Sequence, residues 1–126
     1  MLLKGSYINY ADNSGVKTMQ CVRVIGGSSK KTSTTGNLIK VVVKALRSKK
    51  KVSLKKIYYG IIVGVKKKKS RLDGSFIRFH ENRVVILSDQ KKFLGTRVYG
   101  PVSKEIKGGK SRMRFRKILS CSDGTV

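Results

Sequence analysis

Apolar and polar positions alternate most cleanly from Leu38 to Lys44, where Ile39, Val41 and Val43 fall on one face of an extended chain and Lys40, Val42 and Lys44 on the other. A strand is predicted there with one face in a core and the other basic. From Gly60 to Leu87 the pattern is different. Gly60-Ile61-Ile62-Val63-Gly64-Val65, Ser75-Phe76-Ile77-Arg78-Phe79 and Val84-Val85-Ile86-Leu87 are short and β-rich, and read as buried strands. The connection from Lys66 to Gly74 carries a net +4 that no small core could bury. The pattern therefore predicts a packed β scaffold that displays a cationic loop.

The flanking segments fit that scaffold. Tyr7–Tyr10 reads as a short strand and Asp12-Asn13-Ser14-Gly15 as a tight turn. Thr18–Ile25 is β-rich without clean alternation, which suggests partial cover on both faces. Residues 26–36 hold two lysines among Gly, Ser and Thr, but Lys30 and Ile25 stand where a phosphate-cradling loop needs glycine. That segment is expected to be a flexible basic excursion. Ile57-Tyr58-Tyr59 opens the central strand, with at least one tyrosine in the core, and Gly60 and Gly64 fit the close approach of a small closed barrel.

After Leu87, residues 93–102 are too rich in glycine for a helix and are expected to form an ordered, extended loop. Ser103–Lys107 reads as one helical turn and Arg114–Ser120 as a short helix with Phe115, Ile118 and Leu119 on one side. Asp123–Val126 reads as a polar tail. With no internal repeat or linker, 1–126 is expected to be a single domain, its barrel about 1–90 and its C-terminal loop and short helices about 91–126.

Charge now decides the class of partner. Thirty Lys and Arg against six Asp and Glu give +24, which calls for a polyanion. The positive residues fall into separate runs: Lys30-Lys31, Lys49–Lys51, Lys55-Lys56, Lys66–Lys69 with Arg71, and Arg112, Arg114, Arg116 and Lys117. Any one run would read as a solvated loop; together they fit a chain surrounded by folded RNA. No long apolar segment or basic amphipathic helix argues for a membrane. Catalysis has no constellation behind it, since the six carboxylates are scattered singly and His80, the sole histidine, has no positioned nucleophile. Cys21 and Cys121 lack metal-ligand spacing and are expected to be small buried hydrophobes. No metal or cofactor is expected. A free RNA-binding translation factor is the alternative to a structural RNA-binding protein, with an enzyme a distant third.

The residues also carry a resemblance. Gly60 before Ile61-Ile62-Val63, then Asp73-Gly74, Phe79, Asn82 and Val85-Ile86, reproduces the signature of the universal large-subunit ribosomal protein family L-fourteen. Ala11–Gly15, Ile25-Gly26-Gly27-Ser28, Ile77-Arg78-Phe79 and Gly95–Val102 look like family segments in the right order. The resemblance implies an all-β fold, a small five-stranded β-barrel with a projecting β-ribbon and short C-terminal helices. It implies a structural protein bound to large-subunit rRNA, facing small-subunit rRNA across the subunit interface, beside the proteins L-three and L-nineteen. In the family, positions matching Thr96, Arg97 and Lys117 meet a silencing factor that blocks subunit joining. Lys55 stands where a turn glycine is usual, Ser48 to Lys50 replace a Pro/Arg/Gly turn, and 104–116 is longer and more basic than the common bacterial pattern.

For rRNA contact the candidates are Asn13, Ser14, Lys30, Lys31, Lys49, Lys50, Lys51, Lys66, Lys67, Lys68, Lys69, Arg71 and Arg78, the last held beside an expectedly buried Ile77 and Phe79. For the subunit interface they are Thr96, Arg97 and Lys117. Twenty-one Lys against nine Arg suggest coding by an AT-rich genome, which fits a mitochondrial ribosome and would also fit a plastid or bacterial one.

Overall fold

The structure, a computed structural model, describes residues 1–26, 29–48, 51–108 and 115–126. Nine strands occur among them: β1 (Leu2–Leu3), β2 (Tyr7–Tyr10), β3 (Val16–Val24), β4 (Thr32–Ser33), β5 (Leu38–Leu46), β6 (Ile57–Gly64), β7 (Lys69–Ser70), β8 (Phe76–Ile77) and β9 (Arg83–Leu87). A 3₁₀ turn (Lys104–Gly108) and helix α1 (Arg116–Cys121) follow. The five strands β2, β3, β5, β6 and β9 close into a barrel. Its neighbours are antiparallel except at the seam, where β9 meets β2 in parallel with Asn9 opposite Arg83 and Tyr10 opposite Val84.

The sequence pattern of each strand follows from what covers it. Residues Ile39, Val41 and Val43 of β5 point into the barrel with Ile8, Met19, Cys21, Tyr58, Ile62, Val84 and Ile86, and all are buried. The opposite faces of β6 and β9 carry Ile61, Val63, Val85 and Leu87, buried under Val98, Val102, Ile106, Phe115 and Ile118 of the C-terminal segment. Two cores therefore share the same strands, and strands buried on both faces read as unbroken apolar runs. Each fully buried Ile or Val stabilises the fold by about 1.5–3 kcal/mol. Gly60 and Gly64 are required by close approach: a Cβ would fall 2.6 Å from Val84 Cγ1 at the first and 2.9 Å from Phe79 Cγ at the second.

Several expectations are corrected by this packing. The 26–36 excursion contains β4, which pairs with β1, and Ser33 is buried, while Gly27 and Ser28 lie outside the described residues. Phe76 belongs to the projecting two-stranded ribbon β7–β8 and not to the core, being 59% exposed. Ile77 and Phe79 are half-buried only. Cys21 is buried as expected but Cys121 is half-buried. The tail from Asp123 to Val126 is docked, since the Val102 N–H donates to the Gly124 carbonyl, the Val126 N–H to the Val102 carbonyl and the Lys104 N–H to the Val126 carbonyl. The last helix begins at Arg116, with Arg114 outside the described residues.

Candidate nucleic-acid interface

The cationic connection between β6 and β9 folds into the ribbon. Lys66, Lys67 and Lys68 are exposed, and the Lys68 ammonium sits 4.0 Å from the centroid of the Phe76 ring. A cation over an aromatic face shelters a ring that the core does not. Lys69 is half-buried and donates to Thr35 Oγ1 at 3.3 Å. At the tip, Ser75 donates its hydroxyl and then its backbone N–H to Asp73, which holds that carboxyl below its ordinary range. Arg78 is exposed.

Arg71 is committed inside the molecule. Its Nε donates to Glu105 Oε1 at 2.7 Å, and its Nη2 donates to Glu105 Oε2 at 3.3 Å and to the Val126 oxygen at 2.7 Å. These bonds staple the ribbon to the C-terminal segment, so Arg71, expected at an RNA contact, also serves as a structural clasp. Ser14 is engaged within the molecule likewise. It is wholly buried and donates its hydroxyl to Asp12 Oδ1 at 2.6 Å. Asp12 also accepts from the Ile86 N–H at 2.9 Å, tying the first turn to β9.

Asn13 is exposed, and its amide faces residues 95–102. Its Nδ2 donates to Thr96 Oγ1, while its Oδ1 accepts from the Thr96 and Arg97 N–H groups. At the far end of the loop, Arg83 donates to the carbonyls of Tyr99 (2.9 Å) and Pro101 (2.6 Å), and the Gly100 N–H donates to Asp123 Oδ2 (3.0 Å). Burial lowers the Arg83 pKa, with Glu81 acting the other way. Gly100 takes φ +69°, and a Cβ there would meet Arg83 Nη1 at 2.8 Å. The buried Val98 donates its N–H to the carbonyl of Cys121 at the end of α1.

The loop is thus held from the first turn, from β9, from the tail and from α1, and Thr96, Arg97 and, on α1, Lys117 remain exposed. Sequence reading identified the loop's special backbone residues and missed the clamps Arg83 and Asp123. The available signal was a lone Arg immediately before the apolar run Val84–Leu87.

Lys30, Lys31 and Lys51 are exposed on other connections, and Lys51 Nζ donates to the Leu94 carbonyl at 3.2 Å. Lys49, Lys50, Arg112 and Arg114 lie outside the described residues. His80 is exposed, and among the described residues no group of His, Cys, Asp and Glu could hold a metal ion. No helix among them is long and apolar enough to cross a membrane.

A closed five-stranded barrel, a basic ribbon and a clamped C-terminal loop agree with the signature residues on Gly60–Ile86. The family model for ribosomal protein L14p/L23e matches residues 1–126, and the chain belongs to that family, as a structural protein of the large ribosomal subunit and not an enzyme.

Proposed function

We propose that this ribosomal protein binds large-subunit rRNA through its exposed basic connections and meets small-subunit RNA through the loop 95–102. The observation that carries the reading is where the negative charge goes. Of the six carboxylates, five are engaged within the chain and Asp89 is exposed: Asp12 is buried, Glu105 is bound by Arg71, Glu81 accepts from Asn9, Asp73 from Ser75 and Asp123 from the Gly100 N–H. A net +24 is therefore left to an outside polyanion. Lys30, Lys31, Lys51, Lys66–Lys69 and Arg78 contact phosphates of separate RNA segments, with Lys49 and Lys50 continuing the Lys51 run. Asn13 acts through the loop it holds. Thr96, Arg97 and Lys117 form the face toward the small subunit and toward a silencing factor, with L-three and L-nineteen as protein neighbours. The excess of Lys over Arg fits a mitochondrial ribosome and equally a plastid or bacterial one, and purification of the ribosome that carries the chain decides the compartment.

Binding to a large-subunit rRNA fragment across a salt series tests the RNA reading. Replacing Lys66–Lys69 with Ala should weaken binding and lower the log–log salt slope by about 0.7–0.9 for each phosphate that is no longer neutralised. Binding and slope identical to those of the parent would contradict it.

A further inference from the structure

A recess of about 410 Å³ opens on the outer face of the barrel, lined chiefly by Arg23, Ile25, Lys40, Tyr59 and Lys91. Strand register builds it. Arg23 of β3 pairs with Lys40 of β5, and Lys40 pairs with Tyr59 of β6. Residues directly opposite in an antiparallel pair project to the same side, so the three form a row. Lys91 enters from the turn after β9, closed by hydrogen bonds from the Ser88 N–H to the Lys92 carbonyl and from the Lys91 N–H to the Ser88 carbonyl, both 2.8 Å.

The Lys40 and Lys91 ammoniums stand 5.4 and 5.5 Å from the centroid of the same Tyr59 ring. Tyr59 is half-buried and packs against the outer core. Among the described residues no carboxylate lines this recess; Asp89 approaches Lys40 and Tyr59 from an adjoining depression. Three cations gathered on one side outnumber the adjoining Asp89, and a bound anion relieves their remaining repulsion.

The Tyr59 face lies under the Lys40 and Lys91 ammoniums, and a phosphate that draws them off the ring frees that face for a base. We infer that the recess holds one unpaired nucleotide of RNA, its phosphate among Arg23, Lys40 and Lys91 and its base against Tyr59. The inference rests on the RNA-binding reading and narrows it to a built site. The volume falls within the roughly 300–1,000 Å³ of small-ligand pockets, which suits a single nucleotide. Double-stranded RNA does not fit the chemistry, because its base faces are already stacked within the helix.

The test compares a short single-stranded RNA with a duplex of the same length, each titrated by fluorescence anisotropy over a salt series. Tyr59→Leu should weaken single-strand binding by about fivefold or more and leave duplex binding unchanged, since base–aromatic stacking supplies at least that factor. Tyr59→Phe keeps the ring and should keep the affinity. Lys91 has φ +59°, which Asn tolerates, so Lys91→Asn removes the charge without straining the turn. It should lower the single-strand salt slope by about 0.7. Lys91→Asn also keeps the inference open to refutation if Tyr59→Leu fails to fold. Single-strand binding by folded variants that equals the parent's overturns the site, as does an equal loss for both RNAs with Tyr59→Leu. A parent chain that binds neither RNA overturns the broader reading instead.

Discussion

Asn13 and Thr96, 83 positions apart, hold each other by reciprocal hydrogen bonds, Asn13 Nδ2 donating to Thr96 Oγ1 at 2.7 Å and the Thr96 N–H donating to Asn13 Oδ1 at 2.9 Å. The Arg97 N–H donates to the same Oδ1 at 3.2 Å. The first turn of the chain thereby fixes the shape of its last long loop. Asn13→Leu should cost about 1–2 kcal/mol in urea unfolding, because exposed hydrogen bonds each contribute about 0.5–1.5 kcal/mol net. Asn13→Asp should cost little, since a carboxylate accepts from both N–H groups and from the Thr96 hydroxyl. Gly95→Ala tests the same joint from the other side: its Cβ would meet Asn13 Oδ1 at 2.8 Å and Phe93 Cζ at 2.9 Å. Asn13→Leu and Asn13→Asp of equal stability would show that the bonds contribute nothing.

At Lys55, where the family resemblance implies a turn glycine, φ is +59° and the N–H donates to the Val43 carbonyl at 3.0 Å. An L-residue in this conformation costs about 1–2 kcal/mol. Glycine removes that cost but loses about 0.4–1 kcal/mol through the freedom it adds to the unfolded chain. Lys55→Gly should therefore raise stability by at most about 1.6 kcal/mol, whereas the β-branched Lys55→Val should lower it. Thermal unfolding of both variants checks the order, and a Lys55→Val protein as stable as Lys55→Gly would contradict it.

What the sequence pattern revealed depended on how locally each residue's partners lie. Alternation in Leu38–Lys44 and the apolar runs of β6 and β9 were readable because burial on one face or two imposes a period directly. Composition could not separate Phe76 from the core, since its cover is Lys68 on the same ribbon. Arg71 and Ser14 look like RNA contacts among so many basic residues and turn hydroxyls. Arg71 finds its partner Glu105 34 positions away, and Ser14 is buried and bonded to Asp12, which is itself tied to the Ile86 N–H 74 positions away. The docking of Asp123–Val126 was invisible for the same reason: a polar tetrapeptide gives no sign that Gly100, Val102 and Lys104 will bind it.

Two carboxyls should impose opposite pH trends. Burial raises the Asp12 pKa above its ordinary 3.8, against the hydrogen bonds from Ser14 and Ile86. The folded state then binds that proton more tightly than the unfolded state, so Asp12 adds stability as pH falls through its folded value toward 3.8. Glu105 is pushed up by burial, but the Arg71 hydrogen bond and the other favourable contacts outweigh this and its pKa lies below the ordinary 4.5. Its contribution is complete above 4.5 and is lost as pH falls through the folded value. The stability advantage of the parent over Glu105→Gln should therefore shrink as pH drops below 4.5. Urea midpoints measured at neutral pH and near pH 3 check the sign, and a difference that grows on acidification would reverse the assignment.

Thr96 and Arg97 are exposed on a backbone whose support comes from elsewhere: Asn13, the Arg83 guanidinium, Asp123 and the carbonyl of Cys121. Replacing the pair by Ala and Glu leaves the buried Val98 and the main-chain clamps in place, and removes the hydrogen bond to Thr96 Oγ1 and the Arg97 guanidinium 5.8 Å from the Tyr99 ring centroid. The fold should therefore persist with a loss of about 1 kcal/mol. At an interface with RNA the same change puts a negative charge against phosphate, and like-charge juxtaposition costs several kcal/mol. Large subunits carrying this variant should contain a normal amount of the protein but join small subunits at least tenfold more weakly, as read by sucrose-gradient sedimentation of mixed subunits. A loop that served packing alone would give the opposite pair of results, with large subunits depleted of the protein and the complete ones joining normally. Normal content together with normal joining would remove Thr96 and Arg97 from the subunit interface.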